Sequence, residues 1–443
     1  MLFFVIGEFV WPEDIPSEQG ACSVMVADWK RVYSDGSRES VKLPGFWEEK
    51  RDVTVRVETQ LPDGQEETWG CIRSSQQDIR VFVDGNLRAS YSTKDTRLFG
   101  KNSASAYVFF KIYKEDAGKV LAIETISDSS YSGRVNQVFV GEKQDIVNRF
   151  LKENGAVLIV AFVTAIISMI TVVASLILAF LHKKEIDMVY LGLGTLLTSI
   201  IIITESMIRQ FFLPSITVAT NVGFFATMLA PYPFLVYANL IQGKRYQKVY
   251  IPVFFCIIAN FVLSTVLHIS GLVDFMDTMM LDYILIIVSL VVGGATILWD
   301  LKNHRAKEYR EVAIGLIGIV LAGFFEVYYV YAPGVAGGFV FCTALCFLLL
   351  MASLKTGRNM QAIEKEKQRA IVTGEAKVQF LAHMSHEIRT PINAVLGMDT
   401  MILRESKEMH IKEYALDIQN AGQTLLAIIN EILDFSKIES GKL

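Results

Sequence analysis

"AVLIVAFVTAIISMITVVASLILAFL", residues 156–181, contains no charged side chain. A bilayer core offers no hydrogen-bond partner to a peptide group, so an apolar run of about 20 residues or more reads as a helix crossing ~30 Å of hydrocarbon. Six further stretches fit the same reading: Met188–Thr204, Val218–Ile241, Val249–Leu267, Met279–Leu298, Val312–Tyr331 and Gly334–Leu354. The third carries Asn221, Pro231, Pro233 and Asn239, which predicts a kinked helix facing protein. The bulk numbers agree. The chain has 443 residues, of which 52% are hydrophobic, and a mean hydropathy of +0.38, high for a soluble protein. The net charge of −4 gives no case for nucleic acid as a partner.

Loop charge sets an orientation. Lys183 and Lys184 follow the first stretch, Lys244, Arg245 and Lys248 the third, Lys302, Arg305, Lys307 and Arg310 the fifth, and Lys355 and Arg358 the seventh. The alternate loops carry Arg209 alone. Basic residues stay on the cytoplasmic side, which places the N-terminal region outside and everything after Lys355 inside. Seven spans, an odd number, satisfy that arrangement.

Residues 20–148 are of another kind. Val53, Val55 and Val57 alternate with polar residues; Ile79, Val81 and Val83 do the same before Asp84-Gly85, a tight hairpin signal. Short strands at regular spacing predict an extracellular antiparallel β-sandwich. The stretches "VFVDGNLRASY", "LPGFWEE" and "KVLAIE" resemble galactose-binding-like jelly rolls, and that resemblance implies an extracellular ligand such as a sugar. Cys22 and Cys71 fit a disulfide or two separate thiols equally well, while Cys342 and Cys346 read as packing residues. Residues 1–19 form an apolar stub broken by Glu8, read as a shortened signal anchor or a plain tail.

After the seventh stretch, residues 355–377 are charged and helix-prone, a signalling helix with coiled-coil character. Residues 378–443 then carry two seams. Val378, Leu381, Ser385, Ile388, Ile392 and Val395 step by three and four, as do Tyr414, Ile418, Ala421, Leu425, Ile428, Ile432 and Phe435. Two such helices predict an antiparallel hairpin whose wide apolar face needs a second copy, giving a dimeric four-helix bundle. His386 directly follows a seam position and should stand in solvent beside Glu387. A neutral imidazole is nucleophilic near pH 7, and a neighbouring carboxylate can hold the proton of its other nitrogen. Pro391 should bend the helix one turn later.

"SHEIRTPI" together with "INEILDFSKIESGKL" resembles the dimerisation and phosphoacceptor domain of sensor histidine kinases, over about sixty residues. The resemblance implies that His386 accepts a phosphoryl group, that Glu387 is its general base, and that Thr390 serves a phosphatase reaction. It implies a response-regulator receiver domain as partner, and ATP with Mg²⁺ as donor, bound by an ATP-binding domain whose Asn-rich box and Gly-rich lid are absent from this sequence. The chain is therefore expected to be inactive alone, whether as a fragment, a split product or a receptor phosphorylated by another kinase. Residues 20–354 resemble bacterial seven-transmembrane receptors with diverse intracellular signalling modules, which implies a cell-membrane location. Glu326 and Asp282, ionisable residues inside apolar stretches, are candidate signalling residues. No resident metal or cofactor is expected. The competing reading is a non-catalytic receptor or scaffold that dimerises with full-length kinases. A retinal protein is disfavoured because Gly334–Leu354 contains no lysine.

Overall fold

The computed structural model describes residues 22–439 apart from 65, 98, 102, 130, 183–186 and 331–337; the side chains at 182, 308, 326–330 and 433–439 are also outside the described set. The N-terminal stub lies outside it too. The chain divides into two compact units, Met1–Ser353 and Leu354–Leu443.

The described residues of the first unit begin with twelve strands: β1 (Ser23–Val24), β2 (Trp29–Val32), β3 (Arg38–Val41), β4 (Gly45–Phe46), β5 (Val55–Gln60), β6 (Thr68–Arg73), β7 (Asp78–Val83), β8 (Asn86–Tyr91), β9 (Tyr107–Ile112), β10 (Val120–Ile126), β11 (Arg134–Val135) and β12 (Val138–Gly141). They form a four-stranded sheet of order β1-β12-β6-β9, a six-stranded sheet β3-β2-β5-β10-β7-β8, and the pair β11-β4. Neighbouring strands run antiparallel. Alternation explains the burial. Val55 and Val57 point inward while Arg56 between them bonds Glu58 and, across the sheet, Glu124. Val53, by contrast, precedes β5 and is exposed. Trp29, Val57, Val81 and Ile123 from one sheet share a core with Ile72, Phe110, Ile112 and Val138 from the other. Each such side chain contributes about 1.5–3 kcal/mol by leaving water. The predicted hairpin joins β7 to β8: Asp84 and Gly85 both have positive φ, 50° and 76°, as the primed turn that matches strand twist requires. Cys22 and Cys71 are not joined to each other; both are free thiols.

Nine helices follow among the described residues: α1 (Lys143–His182), α2 (Asp187–Glu205), α3 (Ile216–Leu229), α4 (Pro231–Ile241), α5 (Gln247–Ile269), α6 (Phe275–Lys302), α7 (Arg310–Val330), α8 (Phe339–Glu405) and α9 (Met409–Glu439). Among the described residues six segments are long and apolar enough to cross a membrane by length and composition, with α3 and α4 counted together as Ile216–Ile241; α7 covers most of the sixth apolar stretch. In the third stretch the helix divides at Ala230, which keeps helical φ and ψ of −54° and −39°, and α4 starts at Pro231. Helix α1 begins well before Ala156. The reason is Ile146 and Phe150, four residues apart and both buried in a cluster with Cys71 and Phe139 of the sheets. The Phe150 ring stacks on Tyr107 at 4.2 Å between centroids.

The connection between α2 and α3 binds the sheets. Gln210 presents its side-chain amide to the free edge of β9, its Oε1 accepting from the Tyr107 N–H at 2.6 Å and its Nε2 donating to the Tyr107 carbonyl at 3.3 Å. Buried Arg209 donates to the Ser105 carbonyl at 3.1 Å. At the start of α6, Asp277 takes a forked pair from Arg51 at 2.7 and 3.2 Å, and Asp274 accepts from the Lys101 N–H at 3.0 Å.

Away from the helices, Asp116 holds the turn between β9 and β10. Burial raises its pKa, but the Tyr113 N–H, the Lys119 ammonium and Arg88 outweigh that and leave it below the usual carboxylate range. Because the folded value is depressed, the stabilisation is present above the unfolded value of about 3.9 and is lost as pH falls through the folded one. Asp116→Asn should therefore lower the unfolding temperature at pH 7, and the gap to wild type should shrink as pH falls through the depressed folded value. Thermal unfolding across pH checks this; a constant gap would remove Asp116 as the cause.

Candidate functional site

In the second unit, α8 and α9 form a hairpin. The contact stripe on α8 is Val378, Leu381, Ser385, Ile388, Ile392, Leu396, Asp399 and Leu403, all at least partly buried. Five of the six seam positions expected on this helix lie on the stripe, but Leu396 takes the inward place and Val395 is exposed. On α9 the stripe is Ala415, Gln419, Gly422, Leu426 and Ile429. This corrects the expected seam. Tyr414, Ile418, Ala421, Leu425, Ile428 and Ile432 do not face α8; Tyr414 is 68% and Leu425 45% exposed. Phe435's side chain is outside the described residues. The true contact face was hidden because it is the less apolar one. Its cue is Gly422: a Cβ there would come within 2.7 Å of Leu396 Cδ2, so the helices approach closely at that point.

The apolar face so left open is continued on α8 by Phe380, Met384, Val395 and Met398, all exposed. Pro391 sits inside a helix that continues to Glu405. The stretch 355–377 and the first hairpin helix are parts of the same α8.

His386 stands on α8 immediately after buried Ser385, and its side chain is exposed. Glu387 and Thr390 are exposed as well. Among the described residues no hydrogen bond joins Glu387 to the imidazole, since successive helical residues project in different directions. The Thr390 hydroxyl donates to the His386 carbonyl at 3.2 Å, one turn back. Arg389 crosses to α9, donating to Asn430 Oδ1 at 3.0 Å. Sequence patterning missed that pair because both residues lie off the apolar stripes. Asp399 is 2% exposed, and neither of its carboxylate oxygens has a partner among the described residues.

The intramembrane candidates belong to the first unit. Asp282 is buried in α6 and accepts from Asn260 of α5, whose own Oδ1 accepts from Ser264 at 3.3 Å. Glu326 lies in α7 with its side chain outside the described residues, and so does any pairing of the two carboxyls.

Residues 376–441 match the His Kinase A (phospho-acceptor) domain. Over 84 residues, 18% of this chain, the sequence is 48% identical to the non-motile and phage-resistance protein of Caulobacter vibrioides, 10% of which is covered. It is 46% identical over 89 residues to probable histidine kinase 6 of Oryza sativa subsp. japonica, covering 20% of this chain and 9% of that one. It is 46% identical over 87 residues to the autoinducer 2 sensor kinase/phosphatase LuxQ of Vibrio parahaemolyticus, covering 18% and 10%. The chain thus spans about a tenth of the length of these curated relatives. No solved structure matches it. The domain match and the histidine-kinase relatives support a role in two-component signalling, and the apolar helices fit a membrane protein.

A buried carboxylate without partners opposes folding of the hairpin. Asp399→Leu should stabilise it by roughly 1–3 kcal/mol, read as slower hydrogen–deuterium exchange across Met409–Glu439. Unchanged or faster exchange would show that Asp399 is satisfied in solution.

Proposed function

We propose that the chain is the receptor and phosphoacceptor portion of a membrane sensor histidine kinase. The observation that carries this reading is an exposed histidine on the flank of a buried seam, within the segment that matches the phosphoacceptor domain. One imidazole nitrogen of His386 attacks the γ-phosphorus of ATP; the N–P bond forms as the bond to ADP breaks. Glu387 turns toward the ring and takes the proton of the other nitrogen. The phosphoramidate then passes its phosphoryl group to an aspartate of a response-regulator receiver domain; in the separate phosphatase reaction Thr390 orients the water that attacks this aspartyl phosphate, releasing inorganic phosphate and the free carboxylate. ATP and Mg²⁺ are presented by an ATP-binding catalytic domain. The exposed stripes on α8 and α9 meet a second copy in a four-helix bundle. Seven spans place the two-sheet domain, a β-sandwich sensor for a ligand such as a sugar, outside, and residues 355–443 in the cytoplasm.

With ATP, Mg²⁺ and an isolated kinase catalytic domain supplied in trans, wild type should acquire acid-labile label, and His386→Gln should lose essentially all of it while still dimerising. Equal labelling of both would overturn the assignment of His386. Without the added domain the chain should stay unlabelled. For the membrane part, Asp282 and Glu326 carry the signal between helices. Glu326→Gln should alter the stimulus response of the intact receptor at normal expression; an unchanged response would remove Glu326 from the pathway.

The reading of a scaffold that dimerises with full-length kinases shares the same exposed stripes. It differs in one outcome: dimerisation without any phosphoryl transfer through His386.

A further inference from the structure

We infer that residues 242–248 and 302–310 form one binding surface for the headgroups of anionic phospholipids. The inference rests on reading this end of the helices as the cytoplasmic membrane boundary.

Asp300, in the last turn of α6, makes one surface of two loops. Its side chain is fully buried and accepts from Arg245 Nη1 at 2.7 Å, from the Tyr246 hydroxyl at 2.6 Å and from the Tyr309 hydroxyl. Its carbonyl accepts from the Arg305 N–H at 2.9 Å. Both loops therefore converge on a single residue, whose carboxylate is already engaged; the side chain of Glu308, in the second loop, lies outside the described residues. Around it stand Lys244, Lys248, Lys302, Arg305, Lys307 and Arg310, all exposed. Among the described residues none of these six makes an ion pair. Arg245 itself remains 41% exposed beside Asp300.

A second observation decides the partner. The positive patch adjoins exposed apolar surface on the same turns of α6, where Leu298 and Trp299 are each 56% exposed. Tryptophan is the side chain that favours headgroup depth. An occupant that brings negative charge to the loops and hydrocarbon to Leu298 is a phospholipid. A nucleic acid or a free phosphate would leave the apolar half unmatched. Each basic residue near an anionic membrane surface is worth about a fivefold change in affinity, and the attraction should fall with salt.

The test uses the full chain in neutral detergent, titrated with dioctanoyl phosphatidylglycerol, dioctanoyl phosphatidylcholine or inorganic phosphate, and read by native mass spectrometry. The glycerol lipid should bind at least tenfold more tightly than the choline lipid. Lys248→Gln with Arg305→Gln, one change in each loop, should remove most of that preference at unchanged unfolding temperature. Equal binding of the two lipids, a preference untouched by the double substitution, or binding of inorganic phosphate as tight as that of the glycerol lipid would each overturn the inference. Carbonate washing of cell membranes separates the two levels. A chain that stays in the membrane but shows no lipid preference refutes only the headgroup surface. A chain released by the wash refutes the membrane reading beneath it.

Discussion

Hydrocarbon gives a peptide group nothing to bond with, and the polar side chains among the long helices obey the same constraint. Thr164 donates to the Val160 carbonyl, Ser168 to Thr164, Thr198 to Gly194 and Ser199 to Thr195, each one turn back on its own helix. Hydroxyls satisfied in this way can sit at helix contacts, where small residues let the backbones approach. Ser168 and Thr195 then meet across α1 and α2 at 2.8 Å. Gly192 lies beside them, so close to α1 that an added Cβ would come within 2.7 Å of Val172. Some larger polar groups find partners on another helix. Asn260 finds Asp282, and Tyr250 finds both Gln242 and Thr296.

The two-sheet domain depends on those helices. Its cluster around Cys71, Phe139 and Phe150 continues into Leu158, Ala161 and Ile203 of α1 and α2 without a polar break. A shift of the sheets is therefore felt by α1 directly, because packed interiors repack in steps and do not stretch. The forked Arg51–Asp277 contact fixes a second point at the start of α6, the helix that also carries Asp282 and Asp300. The sheets are thus joined to two helices at once.

Much of this was legible in the residues. Period-two alternation located β5 and β7, and Asp84-Gly85 named its own turn, since so few residues accept positive φ in succession. Pro231 marked a helix break because it lacks an N–H. Two kinds of feature were not legible. The first is extension: the helical pattern of Ile146 and Phe150 sits among charges, so hydropathy alone starts α1 too late. The second is choice of face. Hydrophobicity ranks the stripes of α9 but does not say which neighbour takes which. The hairpin uses the stripe with Ala415 and Gly422, where small side chains permit close approach, and the larger apolar residues face away. At His386 the pattern located the residue and its exposure, while the Arg389–Asn430 link needed coordinates, because pairing across a hairpin depends on register.

The amide of Gln210 occupies the outer edge of β9 as a strand would. Until that residue is made, the four-stranded sheet ends in bare N–H and C=O groups, open to any extended chain nearby. Synthesis runs from the N-terminus, so the strands are complete roughly seventy residues before Gln210 can cap the Tyr107 position of that edge.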